Sequence, residues 1–158
     1  MLDHNYWMKQ ALLLAKDAAL KGEVPVGAIV VLDKKIIGKG FNQPISTYDP
    51  TAHAEIVALR DSAKKTHNYR LIDACLYVTL EPCTMCAGAM IHSRIKRLVY
   101  GADEPKAGVV NSQKNLLNAP YLNHKIEVVA GVCGNECSEI ISAFFAKRRQ
   151  QIKKKTQQ

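Results

Sequence analysis

With 158 residues the chain has the length of one domain, enough to bury a core without disulfide staples. Hydrophobic residues make up 47% and charged residues 23%, which argues against disorder, and no stretch approaches the ~20 apolar residues of a membrane span. The formal net charge of +8 is concentrated in the last twelve residues, where Lys147, Arg148, Arg149, Lys153, Lys154 and Lys155 stand without an acid.

In chain order, Asp3 is a helix-capping residue, and Trp7, Ala11, Leu14 and Ala18 recur at helical spacing. A helix is therefore expected from Asp3 to Leu20, ended by Gly22. The acids and the five-residue apolar run of this start are not those of a secretory leader. Val26–Leu32 and Lys35–Phe41 read as two strands joined by a tight turn at Asp33-Lys34. "ISTYDPT" reads as a loop, and "AHAEIVALRDSAKK" as a helix entered through Pro50 and Thr51. "ACLYVTL" is a strand that Glu81-Pro82 breaks, and "TMCAGAMIHS" a short helix. "IKRLVYGA" and "KIEVVAGV" are strands on either side of a loop from Asp103 to Asn123 with at most a helical turn. "NECSEIISAFFAKRRQQIKKK" is a closing helix that runs into the basic end. Alternating strands and helices predict one α/β domain, residues 1–150, with its sheet covered by helices, followed by a flexible basic tail, 151–158. A basic tail on a nearly neutral body suits contact with a polyanion such as nucleic acid, or simply a solubilising end.

The cysteines are Cys75, Cys83, Cys86, Cys133 and Cys137, an odd count that fits a reducing cytoplasm better than a disulfide framework. Cys83 and Cys86 admit three readings. A redox pair needs no histidine. A structural zinc ribbon needs a second matching pair, and Cys133 and Cys137, within "CGNEC", fit that pattern poorly. The third reading adds His53 from "AHAE", which gives three zinc-type ligands and leaves a fourth position open, as in a catalytic site. Both cysteines and His53 stand where helices begin, and helix N-termini favour thiolates. Glu55, two residues from His53, does not share its helix face. It is either a helix-start acid or a proton carrier for a water at the metal. His-x-Glu followed by Pro-Cys-x-x-Cys is the signature of zinc nucleobase deaminases.

Around that signature, "VPVGA", "DPTAHAEI", "NYRLIDA", "LYVTLEPC", "MCAGAMIHSRI" and a terminal "FF" before "RRQ" resemble, in order and spacing, bacterial tRNA-specific adenosine deaminases of the TadA type. The resemblance covers roughly residues 5 to 152. It implies a three-layer α/β/α cytidine deaminase-like fold with a five-stranded mixed sheet, within a single CMP/dCMP-type deaminase domain. It implies a cytoplasmic homodimer with one Zn2+ per subunit, bound by His53, Cys83 and Cys86. The implied reaction converts the wobble adenosine, position 34, of tRNA-Arg(ACG) to inosine. Metal-bound water attacks C6 and Glu55 shuttles the proton. Asn42, Val26 and the backbone of Ala54 would form the base pocket. Phe145, Arg148 and Arg149 would contact the anticodon stem-loop. Of the adjacent Phe144 and Phe145, at most one is expected to face the core. The loop "GADEPKAGVVNSQKNLL" departs from better-known members at several positions.

Overall fold

The computed structural model describes residues 3–157. The Asp3 carboxylate accepts from the Tyr6 N–H at 3.0 Å and starts α1, His4–Leu20. Its buried face is Met8, Ala11, Leu12, Ala15 and Ala18, so the stripe expected through Trp7 and Leu14 is rotated and those two only flank it. The reason is close approach: any side chain at Gly27 would meet the Ala11 carbonyl and the Ala15 amide, so the small alanines lie directly on the sheet. β1 (Gly27–Leu32) and β2 (Lys35–Phe41) form the expected hairpin. Asp33 and Lys34 both take left-handed backbone angles, as a two-residue hairpin turn requires.

The loop expected at "ISTYDPT" contains a single helical turn, α2 (Pro44–Thr47). Its partner is distant in sequence: the buried Glu23 carboxylate accepts from the N–H groups of Ile45 and Ser46 at 3.1 and 2.7 Å. Next come α3 (Ala54–Thr66), β3 (Cys75–Leu80), α4 (Thr84–Ser93), β4 (Arg97–Ala102), a 3-10 turn at Leu116–Asn118, β5 (Glu127–Val129) and α5 (Gly134–Thr156). The segment expected as a flexible tail is helical as far as Thr156, with Lys153, Lys154 and Lys155 in the last turn, where cations oppose the helix dipole.

The five strands form one mixed sheet in the order β2-β1-β3-β4-β5. β1 runs antiparallel to β2 and β3, whereas β3, β4 and β5 are parallel. β3 is central and reads as an apolar run broken only by Thr79 because both its faces are covered. On one face α3 and α4 pack over Val30, Leu76, Val78 and Leu98. On the other, α1 and α5 cover Ile29, Val31, Tyr77 and Val99. The fold is therefore the expected three-layer arrangement, and no helix of the described residues is long and apolar enough to cross a membrane. Gly40 sets how closely α3 approaches the sheet. A side chain there would collide with the Ala54 carbonyl and the Ala58 amide, so its absence lets the first turn of α3 lie flat on β2.

Candidate active site

Residues thirty apart in the chain meet because β3 lies beside β1 and because α3 and α4 both start at the same end of the sheet. His53 is the N-cap of α3 and Cys83 the N-cap of α4, each with extended backbone, and Cys86 lies in the first turn of α4. The His53 Nδ1 lies 3.5 Å from the Sγ of Cys83 and 3.5 Å from that of Cys86. The three donor atoms are all within 4.8 Å of one another, the only such group among the described residues. Cys133 and Cys137 take no part. Cys137 is buried under β4 and Cys133 faces Asn5.

The chemistry of this donor set fits a zinc ion. The Cys86 thiol donates to Cys83 and, with the His53 imidazole, holds Cys83 well below the ordinary thiol range against the cost of burial. The same hydrogen bond, and burial, push Cys86 up. Two neighbouring sulfurs ionise together only if a cation offsets them, and a zinc ion between two thiolates and an imidazole does so. Glu55, 4% exposed, lies in the first turn of α3. Burial raises its carboxyl above the usual range, opposed by its own backbone amide and by Cys86.

Beside this group lies a cavity of about 170 Å³ lined by Val24, Val26, Asn42, His53, Glu55, Leu80, Glu81, Cys83, Glu104 and Ala107. Of the expected base-pocket residues, Asn42 and Val26 line it. Ala54 is fully buried, behind the residues that line it. Its N–H donates to Asn42 Oδ1 at 2.8 Å, which orients the Asn42 amide and leaves Nδ2 free as a donor. Phe145, Arg148 and Arg149 are not brought to this cavity. Arg148 lies 5.3 Å over the Phe144 ring and lines a separate groove between α1 and α5 with Lys147 and Gln151. Phe144 is thus the half-buried member of the aromatic pair and Phe145 the exposed one.

Sequence reasoning missed Glu81, Glu104 and Ala107. The one available signal was Glu81 itself, an acid set between an apolar strand and Pro82. Burial opposes its charge, but donors from Ser112, Asn111 and Glu104 hold its carboxyl below the ordinary value.

The family model described as MafB19-like deaminase matches residues 2–149. The chain is 54% identical, over 147 residues, to a tRNA-specific adenosine deaminase of Haemophilus influenzae, covering 92% of this chain and 85% of that protein. It is 42% identical to a tRNA-specific adenosine deaminase of Bacillus subtilis, covering 97% and 95%. A solved structure from a study of A-to-I editing by tRNA:A34 deaminases at the wobble position of transfer RNA superposes with a TM-score of 0.83 at 43% identity. That match covers 85% of this chain and 98% of the other.

Proposed function

The chain belongs to the tRNA-specific adenosine deaminases, and on that premise we propose that it hydrolyses the wobble adenosine, position 34, of tRNA-Arg(ACG) to inosine, releasing ammonia. The observation that carries this reading is the convergence of His53, Cys83 and Cys86 beside buried Glu55 in a cavity walled by Asn42. His53, Cys83 and Cys86 would hold one zinc ion per subunit, which when bound makes hydroxide available at neutral pH. Glu55 takes a proton from the attacking water and returns it to the departing amine at C6. Its burial suits a carboxyl that must hold that proton between the two steps.

The base is held by this chain's own groups. Asn42 Nδ2 donates to a ring acceptor, its amide fixed by the Ala54 N–H. Val26 packs against the purine, and the enclosure of Glu55 keeps bulk water from the proton it carries. A cavity this size takes a base and not a nucleotide stack, so the adenine must be extruded from its loop. Arg148, Arg149 and Phe145 contact the stem-loop outside the cavity, and the basic surface of α5 supports that assignment. We further take the enzyme to be a cytoplasmic homodimer, which sedimentation of the purified chain would check.

The deciding experiment incubates the protein with tRNA-Arg(ACG) and sequences position 34. Inosine is expected there. Absence of inosine, with ammonia released from free guanine or cytosine, would make the protein a free-base deaminase.

A further inference from the structure

Glu81 stands at the end of β3, between Leu80 and Pro82, and is 3% exposed. Its Oε1 accepts from the Glu104 N–H at 3.1 Å and from the Ser112 hydroxyl. Its Oε2 accepts from three successive N–H groups, Val110 at 3.1 Å and Asn111 and Ser112 at 2.9 Å each. Successive amides aimed at one point form an anion-binding concavity, and bonds to a charged acceptor are the strong ones. The loop also passes directly over this carboxylate, since a side chain at Gly108 would overlap it.

From Asp103 to Asn115 the chain forms no helix or strand of its own. Its shape therefore depends on such contacts, with the Val109 N–H to the Pro82 carbonyl as a further tie. Glu104 and Ala107 line the same cavity as Asn42. Lys106, Gln113 and Lys114 line an adjoining cleft of about 430 Å³, which shares Cys83 and Ala107 with the cavity.

We propose that Glu81 is a positioning residue for substrate binding: its carboxylate gathers residues 104–112 into the wall that separates the base cavity from the neighbouring cationic cleft. The role rests on the cavity being the adenosine site. Glu81 borders the cavity, but both its oxygens are taken up by loop donors, and it acts through the loop.

The test compares Glu81→Gln, Glu81→Asp and Gly108→Ala in the full chain. Glutamine turns an amide donor toward the loop amides. In Glu81→Gln, hydrogen exchange at Glu104, Val110, Asn111 and Ser112 should quicken at least tenfold while α3 and α4 keep their protection. With an anticodon stem-loop RNA, KM should rise at least tenfold, with kcat within threefold and zinc per chain unchanged. Glu81→Asp, which keeps the charge but is one methylene shorter, should recover part of the loss. Gly108→Ala, which crowds the carboxylate from the loop's side, should shift KM in the same direction. If Glu81→Gln does not fold, Ser112→Ala carries the comparison with an expected threefold rise in KM. Unchanged exchange at those amides, unchanged KM, or a fall in kcat with loss of zinc would each overturn the proposal. If the wild-type chain makes no inosine, the functional reading fails separately, and the exchange measurement alone decides whether Glu81 holds the loop.

Discussion

Three glutamates of this chain are almost wholly buried, and each is satisfied differently. Glu81 is surrounded by loop amides, Glu23 by the start of α2, and Glu55 by the cavity's sulfurs and imidazole. Only at Glu55 does burial outweigh the groups that favour the charge, which is the direction the proposed proton shuttle calls for. Replacing Glu55 by Ala should cut turnover by about 10²–10⁴-fold, the scale of general acid–base catalysis. Zinc content by metal analysis and tRNA affinity should hold, since neither depends on that carboxylate. Turnover that survived the change would rule out the proton-shuttle role. Glu23 supplies a second case. Burial pushes its carboxyl up, but the Ser46 amide and hydroxyl and the Ile45 amide outweigh this and hold it below its ordinary value. A depressed carboxyl stabilises the fold fully above the unfolded range, at about pH 5 and higher, and loses that contribution as pH falls through its folded pKa. Urea melts should therefore show Glu23→Gln weakening the protein at pH 7 and narrowing the gap to wild type at pH 3.

Each working element carries its chemistry at an end. α3 and α4 present N-termini to one point, so His53, Cys83 and Cys86 gain positive helix ends as well as proximity. α5 does the reverse. Its N-terminal half packs on β4, while its C-terminal turns project six bases with no acid among them. Because this end is helical, its charges form a stiff surface along the groove lined by Phe144, Lys147 and Arg148. Ending the chain at Ile152 removes Lys153, Lys154 and Lys155. Binding titrations across salt concentrations should then show weaker tRNA affinity and a shallower dependence of log K on log salt, by up to about 2–3 in slope. The rate at saturating tRNA should be unchanged. An unaltered slope would detach the tail from RNA.

For the molecule as a whole, the site is a place where two helices of one layer, entered from different strands, are tied together. α3 packs mainly on β2, α4 follows β3, and their N-termini bring the three donors together. A metal that binds the folded chain alone adds to its stability by mass action. Chelation should lower the thermal midpoint measurably by calorimetry and abolish deamination, and stoichiometric zinc should restore both. A midpoint indifferent to chelation would mean that the donors are held by the protein alone. The net charge has the same large-scale logic. Outside its last twelve residues the chain holds sixteen bases and fourteen acids, so the positive excess lies at one end of the chain and is not spread over the body.

The order of strands and helices, the hairpin turn at Asp33-Lys34 and the identity of the His53, Glu55, Cys83 and Cys86 group were legible in the sequence. Each rests on local periodicity, on backbone preferences or on a spacing that metal chemistry restricts. Nothing local revealed α2 or the shape of residues 104–112, because both are held by carboxylates far along the chain, Glu23 and Glu81. Nor did spacing show that the Ala54 N–H binds the Asn42 side chain, or that Phe144 lies under Arg148 while Phe145 faces outward. The sequence alone determined which side chains meet at the site. The tertiary structure decided what encloses them, because walls are built from contacts between residues that pattern and propensity treat as unrelated.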